Sequence, residues 1–177
     1  GYYEKRTVFA DGLTFPNGLQ RWLGGWIVTC APDVLYLKDT NGDGKADVRE
    51  VWLTGFNTNQ TTQLRVSHPT LGPDGWIYLT SGLTGGTITS PKNPKLKPVT
   101  FKKNDSRFHP RTLEFEVLGG TGQFGMTFDA FGRRFTTSNR NPLQQVVLEP
   151  RYLKRNPHYA FSEMVEDVAP HGDAGKV

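Results

Sequence analysis

Gly24-Gly-Trp26-Ile-Val-Thr29 and Asp74-Gly-Trp76-Ile-Tyr-Leu-Thr80 carry the same phrase, and a looser copy follows as Phe131-Gly-Arg133-Arg-Phe-Thr-Thr137. Each copy is a Gly turn leading into an alternating apolar strand that ends in Thr. Ahead of each lies a short strand entered through a polar or Gly step: Phe15-Pro-Asn17-Gly-Leu19, Val66-Ser-His68-Pro69 and Gln123-Phe-Gly125-Met126. The two tryptophans stand about 50 residues apart, a period that suits the four-stranded blades of a β-propeller. A β-sandwich has strands and turns too, but it gives no reason for an echo at long period. The expected fold is all-β, a partial β-propeller of about three four-stranded blades. The blades should span residues 17–54, 66–118 and 124–148, with Tyr3 to Ala10 closing a neighbouring blade. Residues 149–177 lose the alternation and read as a connecting segment with one helical turn. Closed propellers have about four to eight blades. The rest of the ring is expected from the same parent or from a second chain.

Composition agrees with that class. The 177 residues are 36% hydrophobic and 12% aromatic, with 20 Gly and 12 Pro. Many aromatics and frequent turn formers favour strands over long helices. No apolar run approaches the ~20 residues of a membrane-spanning helix. The chain starts Gly-Tyr-Tyr-Glu and stops at Gly175-Lys-Val177, and both ends read as cuts within a longer polypeptide. A missing signal peptide therefore carries no information. Net charge is +4, but the basic residues are spread along the chain. Their one concentration, Lys92 to Lys103, is broken by Pro and lacks the interleaved aromatics of a nucleic-acid surface. It reads as a soluble loop or strand edge, and no nucleic-acid partner is expected. Cys30 is the only cysteine. It lies in an apolar run and reads as a buried small hydrophobe, with a disulfide partner conceivable only outside this chain.

Residues 39–50 read D-T-N-G-D-G-K-A-D-V-R-E. Oxygen-bearing side chains fall at loop positions 1, 3, 5, 9 and 12: Asp39, Asn41, Asp43, Asp47 and Glu50. Gly44 occupies position 6, where a calcium loop turns sharply, and Lys45 at position 7 would give its backbone carbonyl. Such a set supplies the hard oxygen donors that Ca²⁺ takes. The alternative, an Asx/Gly hairpin turn, needs only two of these residues. The flanks Asp33-Val-Leu-Tyr-Leu-Lys38 and Val48-Arg-Glu-Val-Trp-Leu-Thr54 are strand-like rather than helical. The loop should therefore tie a β-hairpin as a structural clamp, not open like an EF-hand. Calcium at millimolar supply and the cysteine usage favour a periplasmic or extracellular setting.

The phrases F-A-D-G-L-T-F-P-N-G-L, G-W-I-V-T-C-A-P-D-V-L-Y-L-K-D-T-N-G-D-G-K-A-D, G-Q-F-G-M-T-F-D-A-F-G-R-R-F-T-T-S-N-R-N and L-E-P-R-Y-L-K-R-N-P run almost end to end. They resemble the large membrane-bound-dehydrogenase-type propellers of planctomycetes and verrucomicrobia. That family is similar to soluble quinoprotein glucose and sorbosone dehydrogenases, which implies a six-bladed propeller. It also implies a sugar or polyol substrate, pyrroloquinoline quinone as cofactor, and electron transfer to a c-type haem module or cytochrome. No C-x-x-C-H haem motif exists in this chain, so the haem must lie elsewhere in the parent. The start of each innermost strand rings a propeller channel, which points to Asn17, His68 and Gln123. Arg65, Asn139, Arg140 and Asn141 fall in adjacent loops. In the resemblance a His is the base that takes a hydroxyl proton. His68 is the candidate, with Arg65 and Arg140 as partners for the quinone carboxylates. The competing reading is a non-catalytic, calcium-stabilised propeller that binds glycans or protein partners. His109, His158 and His171 lack metal-ligand spacing and read as loop residues, with His171 also able to line the channel of an intact ring.

Overall fold

The computed structural model describes residues 4–153, 155–156, 158 and 164–168. Fourteen strands follow in chain order: β1 (Gly18–Trp22), β2 (Gly25–Cys30), β3 (Asp33–Lys38), β4 (Val48–Phe56), β5 (Ser67–Leu71), β6 (Ile77–Thr80) and β7 (Gly86–Thr89), then β8 (Val99–Phe101), β9 (Ser106–Phe108), β10 (Phe115–Val117), β11 (Gly125–Phe128), β12 (Arg134–Thr137), β13 (Gln144–Val146) and β14 (Val165–Asp167). One α-helical turn, α1 (Pro150–Leu153), falls where the alternation stops, and a short 3-10 turn spans Thr62–Leu64. Among the described residues no helix is long and apolar enough to cross a membrane.

The strands form three antiparallel sheets, ordered β1-β2-β3-β4-β7-β8, β10-β9-β6-β5 and β11-β12-β13-β14. Among the described residues no barrel closes, and the fold is all-β with the character of a partial β-propeller. Each Gly-turn phrase forms the hairpin joining the first two strands of its sheet, with Gly18 opposite Thr29, Ser67 opposite Thr80 and Gly125 opposite Thr137. The innermost strands are neighbours, β5 packing against β1 on one side and β11 on the other.

Period-two alternation decides how the sheets stack. Ile77 and Leu79 of β6 point toward the first sheet, into a core with Ile27, Val34, Trp52, Leu53 and Phe108. Tyr78, between them in sequence, points the other way, into a core with Leu118 and with Met126 and Phe128 of the third sheet. The middle sheet is therefore packed on both faces, and its central strands β6 and β9 are buried along their whole length. Tyr36 stacks on Trp52 with centroids 4.7 Å apart, and Trp52 meets Phe108 edge-on at 6.3 Å across the sheet boundary.

The strand pairing departs from the expected spans in three places. β7 and β8 lie inside span 66–118, yet β7 pairs with β4 and β8 with β7, so the Lys-rich excursion extends the first sheet to six strands. Ile88 and Phe101 carry the reason, because both are buried in the core between the first two sheets. The described part of the Tyr3–Ala10 segment forms no strand. Instead Phe9, Ala10 and Leu13 cover the outer face of the first sheet over Val28, Cys30, Leu35 and Leu37. Finally, β14 belongs to the third sheet although it lies within the expected connecting segment. His171 lies outside the described residues.

Candidate functional site

The axial ends of the inner strands gather most of the sequence candidates. The register of β5 against β6 slips between Ser67 and Thr70, so His68 and Pro69 bulge from the ladder. His68 is exposed and has φ of 54°, a left-handed conformation that non-Gly residues rarely adopt. Gly18 of β1 presses on this bulge. A Cβ there would lie 2.5 Å from Pro69 Cδ and 2.9 Å from His68 N, so only glycine lets the inner strands approach. Next to it, Asn17 donates from Nδ2 to the Thr62 carbonyl at 3.2 Å. The Arg65 guanidinium stacks over Phe15 at 5.0 Å and donates from Nη2 to the Thr58 carbonyl. Its Nε is buried without a partner.

Gly82 N–H donates to the Gly122 carbonyl at 3.2 Å and so joins the second sheet to the entry of β11. Gln123 is buried there, and its Oε1 accepts from Asn139 N–H at 3.1 Å. Asn141 closes the turn after β12 through Ser138, while Arg140 is exposed. The structure thus brings Asn17, Arg65 and His68 to one inner-strand junction, and Gln123 with Asn139 to the next. Arg140 and Asn141 sit in the β12–β13 turn.

Sequence reasoning passed over the buried polar groups behind this rim. Asp105 is completely buried, its Oδ1 accepting from Gly122 N–H at 2.8 Å and its Oδ2 paired with Arg134 at 2.7 Å. Burial pushes the Asp105 carboxyl above the usual carboxylate range, against the pull of Arg134 and the Gly122 and Ser81 amides. Ser81 Oγ and Thr136 Oγ1 are buried without partners. Thr136 carried a signal, since it belongs to the Thr ending of the repeated phrase.

The Asp39–Glu50 stretch joins β3 to β4 as a hairpin. Its winding comes from Asx turns. Asp39 accepts from the backbone N–H of Gly42 at 2.7 Å and of Gly44 at 2.8 Å, Asn41 from Asp43 at 3.0 Å, and Asp43 from Lys45 at 2.8 Å. Gly42 and Gly44 have φ of 80° and 85°, the left-handed values this winding requires. Asp47 accepts from the Thr40 hydroxyl at 2.5 Å, which lowers its pKa. Glu50 lies on β4 and turns to the Lys92 ammonium and, at 2.8 Å, the Trp52 indole N–H. These partners hold its carboxyl below the usual range. Among the described residues no group of three or more His, Cys, Asp or Glu side chains is arranged to hold a metal ion. The other two described histidines are structural or peripheral. His109 Nδ1 accepts from Thr112 N–H at 3.2 Å and its ring meets Trp76 edge-on, while His158 is exposed.

The architecture is that of radially stacked antiparallel sheets with a polar axial rim. Residues 1–177 match the family described as Domain of unknown function (DUF7133), and the chain belongs to that family. No curated protein and no solved structure matches it.

Proposed function

We propose that this chain is the propeller portion of a quinoprotein-like sugar or polyol dehydrogenase, with its substrate site at the axial ends of β1, β5 and β11. The observation that carries the reading is His68. Its imidazole is exposed on the innermost strand of the middle sheet, and its backbone is held at positive φ. Such strain costs about 1–3 kcal/mol and concentrates where a side chain must be aimed at a ligand. His68 would accept the hydroxyl proton of the substrate, and Asn17 beside it keeps a free carbonyl oxygen to orient that hydroxyl. The orphaned Nε of Arg65 fits an anionic neighbour. Bound pyrroloquinoline quinone would supply the hydride acceptor, and Arg65 and Arg140 are the cations for its carboxylates. Electrons would then leave for a c-type haem outside this chain, as the resemblance implies.

Calcium would be held by the β3–β4 hairpin. Asp39, Asn41, Asp43, the Lys45 carbonyl and Asp47 form an all-oxygen donor set of the kind Ca²⁺ takes. Their Asx turns leave carboxylate lone pairs unused. Glu50 joins only by giving up Lys92, so the clamp works chiefly through the other five.

One observation favours a non-catalytic, glycan-binding propeller instead. No hydrogen bond to another described residue orients the His68 imidazole, and a general base is normally held by one. Dye reduction by the intact protein, with the quinone, Ca²⁺ and a sugar panel, separates the two readings. Turnover that His68→Ala abolishes while sugar binding persists supports the dehydrogenase. Sugar binding without turnover on any member of the panel removes it.

A further inference from the structure

A second polar cleft opens where β4 meets β7. It has a volume of about 520 Å³ and is lined by Asn57, Asn59, Gln60, Thr87, Thr100 and Lys102. Its floor is bare backbone. A Cβ on Gly55 would lie 2.0 Å from the Thr87 carbonyl oxygen, and one on Gly86 would lie 2.1 Å from that of Gly55. Leu83 stands at the rim with φ of 79° and its side chain 43% exposed.

The lining groups are free to bind. Asn57 Oδ1 accepts from Asn59 N–H at 2.9 Å, but its Nδ2 has no partner among the described residues. The Asn59 and Gln60 amides and the Lys102 ammonium likewise have no intramolecular partner among the described residues, and all three side chains are exposed. Thr87 and Thr100 hydroxyls meet at 3.0 Å across the strand pair and each retains further bonding capacity.

The chemistry of this lining narrows the ligand. Three carboxamides and two hydroxyls offer donors and acceptors side by side, the arrangement that vicinal diols satisfy. One ammonium and no carboxylate line the cleft. A polyanion would need several cations, and a lipid or apolar peptide would leave these amides unpaired at a cost. Leu83 adds an exposed apolar surface for the C–H face of a ring. We infer that the cleft is a binding subsite for a neutral saccharide, distinct from the axial site and independent of any redox chemistry there. The two sites share a loop, since Arg65 donates to the Thr58 carbonyl between Asn57 and Asn59.

The test is titration of the intact protein with cellotetraose, xylotetraose and maltotetraose, followed by side-chain amide NMR signals of Asn57, Asn59 and Gln60. At least one of these sugars should shift those signals with an affinity of order 1 mM. Asn59→Ala with Gln60→Ala removes groups that support nothing in the fold, and should weaken binding by about tenfold. Lys102→Gln should change the affinity by no more than about twofold. The inference is overturned if none of the three sugars moves these signals at ~20 mM. It is equally overturned if the double variant binds unchanged, or if Lys102→Gln abolishes binding and only polygalacturonate is retained by the unaltered protein.

Discussion

Arg134→Met should be among the most destabilising single changes in this chain, while the same change at its neighbour Arg133 should hardly register. Arg134 projects from β12 with its side chain 4% exposed, between Asp105 at 0% and Glu149 at 17%. Its Nη1 lies 2.7 Å from Asp105 Oδ2, and its Nη2 reaches both Glu149 at 2.8 Å and the Gly119 carbonyl at 2.5 Å. Methionine fills much of the volume but strands two carboxylates in a weakly polar interior. Breaking a buried pair this way costs about 3–5 kcal/mol. At roughly 2–4 °C per kcal/mol for a chain of this size, the melting point should fall by about 6–20 °C. Arg133 pairs with Asp129 at the surface with its side chain 55% exposed, and its loss should cost less than ~1 kcal/mol. Urea unfolding followed by the fluorescence of the four tryptophans measures both. The pH dependence has a definite sign. Because burial raises the folded pKa of Asp105, its contribution to stability is greatest below the ordinary carboxylate value and declines as pH rises through the folded value. Removing Arg134 removes the main opposing pull, so the gap from the unaltered protein should widen as pH rises above the ordinary carboxylate range. Equal costs at positions 133 and 134, or a gap that narrows as pH rises, would refute the buried-pair argument.

Three other outcomes are expected. Chelation should lower the melting temperature of the unaltered protein, and Asp39→Ala with Asp43→Ala should make it indifferent to chelator, as calorimetry with and without added Ca²⁺ can show. Lys92→Ala should cost under ~1 kcal/mol near neutral pH, because the pair it makes with Glu50 is half exposed. The depressed Glu50 pKa makes its contribution present above the unfolded carboxylate value and lost as pH falls through the folded one, so the effect should vanish in acid denaturation curves. Gly55→Ala should destabilise by at least ~2 kcal/mol in urea melts, since φ is 103° and the new Cβ would fall 2.0 Å from a carbonyl oxygen.

Local chemistry made the hairpins legible. Gly24-Gly25 and Asp74-Gly75 announce turns, the apolar alternation after them announces strands, and the acidic loop between two strand-like flanks announces β3 and β4. Sheet membership is not local. Gly86–Thr89 and Val99–Phe101 have the same pattern whether they pair with β6 or β4, and only the burial of Ile88 and Phe101 against Leu53 and Phe56 selects β4. The arginines were hidden for a related reason. A single Arg in a short strand reads as solvent-facing, and Arg107 and Arg134 become core residues through partners far along the chain. Arg107 reaches Asp74 and Glu116, each at 2.6 Å, and lies 4.3 Å over Trp76. Among the site candidates, strand entry points to Asn17 and His68, and the structure sets both at the junction of β1 and β5. No pattern foretells that Gln123 is buried or that His68 takes positive φ, because both depend on how the neighbouring strand crowds the entry.

The distribution of unsatisfied polar groups says more about the axis than any one residue does. Toward the outside of the middle sheet, Arg107 bonds to Asp74, Tyr78 and Glu116, and of its strand neighbours only Ser106 Oγ is buried without a partner. Along the inner strand ends, satisfaction thins out. Thr29 reaches the Gly18 carbonyl only at 3.5 Å, Thr80 shares a 2.9 Å bond with Ser67, and Thr136 has no partner. Ser81 Oγ and Arg65 Nε, on segments tied to the same seam through Gly82 and Gly122, are also without partners. Leaving each such group unpaired costs about 1–3 kcal/mol, which a domain of marginal stability does not sustain several times over in one place. A polar occupant at that seam, whether ordered water or the hydroxyls of a ligand, recovers the cost. The arginines of β9 and β12 hold the sheets together through their carboxylate partners, and the inner strand ends keep the hydroxyls whose bonding capacity those pairs do not use.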